Sequence, residues 1–104
     1  MGKKYQRLVS KYVENVSDSG IKIKALYLFG SRIKGTAKRD SDLDVCIVSD
    51  DFGDDMVENR VRLMGLVDYE SEILIEPHQM KGEDFEDKYN PLAVEIKRTG
   101  IRVL

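Results

Sequence analysis

The sequence predicts a small α/β (α+β) domain: a mixed β-sheet with helices packed mainly on one face. Three observations carry that prediction. Short runs dense in Ile, Leu, Val and Phe alternate with longer stretches whose apolar residues recur every three or four positions. Glycine, proline and Asp/Ser clusters separate the two kinds of segment. The chain has 104 residues, 41% hydrophobic and 35% charged, which is enough for one domain around one core.

In residues 3–16 the apolar positions Tyr5, Leu8, Val9, Tyr12, Val13 and Val16 form one helical stripe, which Ser17-Asp18-Ser19-Gly20 stops. Residues 25–29 read as a strand buried on both faces and broken by Gly30. Residues 31–34 read as one short helical turn before Gly35. A second apolar, β-branched strand covers residues 43–48. The acidic stretch 49–55 leads into a helix, with Asp54 or Asp55 favourable near its N-terminus. Val57, Val61, Met64 and Leu66-Val67 are the expected apolar face of that helix. Residues 72–76 read as a third strand, ended by Pro77. A short helix is expected around residues 83–87, then another opened by Pro91 and closed by Gly100, with a last edge strand at 101–104. No repeat, low-complexity tract or linker interrupts this order, so residues 1–104 are read as a single domain.

The formal net charge is −2, with both signs well mixed. That balance argues against an extended nucleic-acid surface, which needs a basic footprint, but leaves room for a small nucleotide held through metal ions. The lone cysteine, Cys46, sits in the apolar run Val45-Cys46-Ile47-Val48, so it is expected in the core and makes no disulfide within the chain. The start Met1-Gly2-Lys3-Lys4-Tyr5 lacks an apolar signal core, and no segment approaches the ~20 apolar residues of a membrane span. The expected setting is cytoplasmic, without a membrane partner.

The chemistry is concentrated between residues 30 and 44. Gly30 ends a buried strand and Ser31 opens a helical turn, which gathers backbone N–H groups that attract anions. Glycine allows a phosphate to approach the backbone, and the serine hydroxyl adds a donor. Asp42 and Asp44 flank Leu43 at the start of a strand, where residues two apart share a face. Two carboxylates side by side repel each other unless a cation lies between them, and Mg²⁺ favours such pairs together with substrate phosphates.

The joint pattern Gly30-Ser31-Arg32-x-x-Gly35-x-Ala37-x-x-x-Ser41-Asp42-Leu43-Asp44-Val45 strongly resembles the signature of the DNA polymerase β-like nucleotidyltransferase superfamily. It is most similar to the minimal nucleotidyltransferase (MNT) domains, over nearly the whole chain. The resemblance implies the polymerase β-like nucleotidyltransferase fold and a triphosphate held by Gly30 and Ser31. It also implies two Mg²⁺ ions on Asp42 and Asp44, and transfer of a nucleoside monophosphate, AMP from ATP above all, to an acceptor hydroxyl. The family uses a third carboxylate on a neighbouring strand as metal ligand and general base. Here that is Glu76, with Glu72 as its rival on the same strand face. Among the basic residues Arg32, Lys34, Lys38 and Arg39, Arg32 is best placed for triphosphate oxygens because it follows Ser31. His78, two residues past Glu76, is expected to be a packing or surface residue.

Larger relatives add a domain that grips the acceptor, and the 28 residues after Glu76 are too few for one. The acceptor is then expected on a partner chain, or the protein is a homo-oligomer, or catalysis has lapsed. MNT proteins are paired with HEPN-domain proteins in toxin–antitoxin modules, so the resemblance implies a HEPN toxin as the acceptor of AMP. The alternative is a non-catalytic antitoxin that neutralises its partner by contact alone.

Overall fold

A computed structural model describes residues 3–104. Met1 and Gly2, which begin the N-terminal stretch read above, lie outside the described residues. The order is α1 (Lys3–Asp18), β1 (Ala25–Phe29), α2 (Ser31–Lys34), β2 (Leu43–Val48), α3 (Met56–Met64), β3 (Ile75–Met80), α4 (Gly82–Glu86), α5 (Pro91–Thr99) and β4 (Ile101–Arg102). The four strands form one sheet in the order β3-β2-β1-β4. β1 runs antiparallel to β2 and β4, and β2 runs parallel to β3. The expected mixed sheet with helices is the observed fold, but the helices cover both faces rather than mainly one, α1 and α3 on one side and α4 and α5 on the other.

Alternation along the strands sorts the core into two layers. Leu26, Leu28, Leu43, Val45, Ile47 and Ile75 meet Val9, Tyr12 and Val16 of α1 and Leu63 of α3 in the larger cluster. Ala25, Phe29, Cys46, Val48 and Met80 turn the other way and meet Phe85 of α4 with Ala93 and Ile96 of α5. Tyr12 is buried with its hydroxyl donating to the Leu63 carbonyl at 2.9 Å, which ties α1 to α3, and burial raises its pKa. Among the described residues no helix is long and apolar enough to cross a membrane.

The helix ends follow local chemistry. Asp55 caps α3, accepting from Val57 N and Glu58 N at 3.1 Å each. Asn90 caps α5 through Ala93 N, with Pro91 in the first turn, as expected for a residue that has no N–H to satisfy.

Two further expectations are corrected. Val57, Val61 and Met64, read as the apolar face of α3, are exposed; the buried residues of that helix are Asn59 and Leu63. The reason lies in the preceding loop. Asn59 receives Gly53 N at 3.2 Å and donates to Gly53 O at 2.8 Å, so the rotation that satisfies the loop backbone turns the 57/61/64 side outward. The third strand is also displaced: it runs from Ile75 to Met80, straight through Pro77. Leu43 N donates to Leu74 O and Ser49 N donates to Met80 O, so the even-numbered residues of this segment point their backbone groups at β2. Pro77 points its missing donor at the free edge, where a ladder loses nothing.

Asp50, just past β2, joins three elements: it accepts from Lys24 Nζ and from Gly82 N, both at 3.1 Å. These bonds, the lysine first, hold its carboxyl below the usual carboxylate range. A pKa depressed by folding gives stability that is present above the unfolded value and is lost as pH falls through the folded one. Thermal stability is expected to drop as pH is lowered from about 5 to about 3. Asp50→Asn should shrink that drop, as followed by circular dichroism melts across the pH series. An unchanged pH slope in the variant would remove Asp50 from the account.

Candidate active site

The end of the sheet where β1 stops and β2 and β3 start carries the polar residues singled out by the sequence. Phe29 lies opposite Asp44 across β1–β2, and Asp44 lies opposite Glu76 across β2–β3. Parallel register and strand parity put Asp44, Glu76 and His78 on one face of the sheet. It is the face whose other end is covered by α4 and α5 through Cys46, Val48 and Met80. One ligand atom from each of Asp44, Glu76 and His78 lies within 4.8 Å of the others.

Gly30 is built against this cluster. Its φ of 83° and ψ of −162° belong to a region that is essentially glycine-only. A Cβ at this position would overlap Asp44 Oδ2 and stand 3.0 Å from Cγ. The missing side chain thus makes room for the aspartate itself, a second reason for glycine that phosphate approach alone did not supply. Ser31 then opens α2, and Gly35, at φ 80°, ends it with its N–H on Ser31 O.

Arg32 was expected on the triphosphate. In the structure its Nε donates to Ser41 O at 2.6 Å and its Nη2 to Arg39 O at 3.2 Å, while Nη1 lies 3.5 Å from the Tyr5 hydroxyl. Ser41 Oγ accepts from Lys38 N at 2.9 Å. The guanidinium therefore staples the loop that delivers Asp42 and Asp44 to β2. Lys34 pairs with Glu95 of α5 at 2.6 Å.

Asp42 is exposed and precedes β2, and it is not one of the three residues in the tight cluster. Glu76 is in that cluster, as the second residue of β3 rather than at its end. Glu72 is exposed ahead of the strand and lines a groove of about 470 Å³ between α1 and the segment after α3, on the opposite face from the cluster.

Two neighbours of the carboxylates were not foreseen. His78 Nε2 lies 3.0 Å from Asp44 Oδ1, with the two side chains 23% and 21% exposed. Its ring also meets Phe29 edge-on, with centroids 5.0 Å apart. Arg60 Nη2 lies 3.3 Å from Glu76 Oε1. α3 packs on the other face of β3, so this contact passes around the sheet's free edge. The i, i+2 spacing of Glu76 and His78 was the signal for the histidine, and reading Pro77 as a strand end hid it. Nothing in the sequence pattern pointed to Arg60. Behind the site, burial pushes the Cys46 thiol up to about 12, which leaves it a packing group and not a nucleophile.

Residues 9–99 match the family model described as a nucleotidyltransferase domain. No curated protein matches the sequence significantly. Among solved structures, a putative nucleotidyltransferase from Sulfolobus solfataricus superposes with a TM-score of 0.60 at 18% identity, covering 98% of this chain and 87% of that one. A toxin–antitoxin structure with AMP-PNP superposes with a TM-score of 0.58 at 22% identity, covering 89% of this chain and 69% of that one. A mutant of the toxin–antitoxin MntA-HpeT gives 0.56 at 20% identity, with the same coverages of 89% and 69%. These neighbours share the fold, and the family match spans the whole of the site. The chain belongs to the nucleotidyltransferase domain family.

Proposed function

We propose that this domain transfers a nucleoside monophosphate, AMP from ATP in the first instance, to a hydroxyl on a partner protein in the cytoplasm. The observation that supports this best is the register that sets Asp44 beside Glu76, with Gly30 cut back to make room for Asp44. ATP as donor draws on the neighbour that was solved with AMP-PNP. A protein partner, and a HEPN toxin in particular, draws on the toxin–antitoxin neighbours together with the MNT-like motif.

The donor set fits divalent cations. Carboxylate oxygens suit Mg²⁺, and a spread of 4.8 Å is within a small side-chain adjustment of the ~2.1 Å metal–oxygen bonds such an ion needs. Asp42, Asp44 and Glu76 would hold two Mg²⁺ ions, which when bound supply positive charge to the entering and leaving oxygens. Gly30 and Ser31 would hold the triphosphate by backbone N–H groups and the serine hydroxyl. Arg32 keeps the 38–42 loop in place so that Asp42 and Asp44 stay aligned. Glu76 takes the proton of the acceptor hydroxyl as its oxygen bonds to the α-phosphorus, the α–β bridging bond breaks and pyrophosphate leaves.

A contact-only antitoxin is the second reading, and Arg60 favours it. Its guanidinium already supplies positive charge beside Glu76, so the site does not need an ion to be neutralised. The two readings separate in one experiment. With labelled ATP, Mg²⁺ and the partner, the wild type should label the partner, and Asp42→Asn and Asp44→Asn should each lose at least about a hundredfold in rate. A partner still inhibited equally by Asp44→Asn, with no label anywhere, would replace the enzyme with the contact-only reading.

Gly30→Ala makes a second check. Backbone strain of about 1–3 kcal/mol and the overlap with Asp44 should lower the melting temperature by roughly 4 °C or more and abolish Mg²⁺-dependent ATP binding in a calorimetric titration. Unimpaired binding in that variant would show that Asp44 does not need its observed position.

A further inference from the structure

We propose that His78 is a direct metal ligand, which shifts the ion position at Asp44 and Glu76 from Mg²⁺ toward a first-row transition ion such as Mn²⁺. The inference rests on the nucleotidyltransferase reading and specifies which ion that site prefers. Three geometric facts support it. His78 follows Glu76 by two residues on β3 and lies opposite Cys46, two pairs beyond Asp44, so its side chain shares the face of both carboxylates. Its ligand nitrogen and their oxygens lie within 4.8 Å of one another, a set to which Asp42 does not belong. The ring is held in place by Phe29, whose edge contact at 5.0 Å fixes the imidazole beside Asp44.

The chemistry follows from the donor types. Oxygen-only sites suit Mg²⁺, which accepts carboxylates and waters and gives up its waters reluctantly. Adding an imidazole nitrogen favours first-row transition ions over Mg²⁺, with affinity rising from Mn²⁺ through Fe²⁺ to Co²⁺. The 3.0 Å contact between His78 Nε2 and Asp44 Oδ1 is a hydrogen bond when the ring proton is on Nε2; with the proton on Nδ1 the Nε2 lone pair is free to bind an ion placed between the two groups. With Asp44 and Glu76 it completes two oxygens and one nitrogen around a single position, and leaves Asp42 to the second ion.

A positioning role is the competing account: His78 would hold Asp44 by a hydrogen bond and never touch the ion. Pulsed electron paramagnetic resonance of Mn²⁺ bound to the full chain separates the two, because a directly bound imidazole nitrogen modulates the echo. The wild type should show that ¹⁴N modulation, and His78→Gln and His78→Ala should both lose it. Both variants should also weaken Mn²⁺ binding by about tenfold or more, with Mg²⁺ binding changed much less. Mn²⁺ bound without ¹⁴N modulation would overturn the ligand role and leave the nucleotidyltransferase reading standing. So would a His78→Gln variant with wild-type Mn²⁺ affinity, since glutamine can still donate to Asp44. Failure of the wild type to bind Mn²⁺ or Mg²⁺ at all, with or without ATP, would overturn both.

Discussion

The structure depends on one constraint: Asp44 must sit in the middle of a sheet end with its carboxylate pressed against a backbone that has no side chain. Gly30 provides that backbone, in a conformation other residues avoid. Because Phe29 lies opposite Asp44, the turn that follows β1 is placed directly over the aspartate. The same position fixes the register on the other side, where Asp44 meets Glu76. A slip of one residue in either pairing would turn the carboxylates into the apolar layers and bring leucine or valine to the surface. The two buried clusters, one on each face, make such a slip costly, so the core sets the site geometry.

The loop between α2 and β2 is held by a different kind of force. It has few apolar anchors, and Arg32 replaces them with donors to Ser41 O and Arg39 O. A planar guanidinium suits this task, since its donors point in fixed directions and bridge carbonyls that a lysine would satisfy one at a time. An arginine next to a Gly-Ser turn therefore reads equally well as a phosphate ligand or as a loop staple, and the sequence does not distinguish them.

Much of the fold was legible because the strands β1 and β2 are apolar runs with clear breaks at Gly30 and the 40–42 turn. The signature residues were legible for the same reason: their meaning lies in local spacing. Legibility ended where tertiary context overrode a local rule. Pro77 was read as a stop, yet on an edge strand its missing N–H costs nothing. That single misreading moved Glu76 from near a strand's start to its end and set His78 outside the strand altogether. On α3 the hydrophobic period pointed to Val57 and Val61, but the side-chain amide of Asn59 serves the Gly53 backbone and sets the rotation instead. Arg60 reaches Glu76 around the sheet edge, a contact across 16 residues that no spacing rule encodes.

The arrangement around the carboxylates also explains how two acidic side chains stand side by side. Asp44 and Glu76 are neighbours on adjacent strands, and two ionised carboxylates so close would repel. Arg60 supplies an opposing charge to one of them, and His78 a hydrogen-bond partner to the other. Both partners leave the groups partly open to water, so the pairing is weak enough to exchange. A cation bound as proposed would compete with the Arg60 contact for Glu76, at oxygens that the paired strands already hold close together. Preorganisation of that kind reduces the ordering that binding has to pay for, while Arg60 lowers the gain. The net affinity of an ion held there would be set by the difference between the two, and donor type would then decide which ion gains most from it.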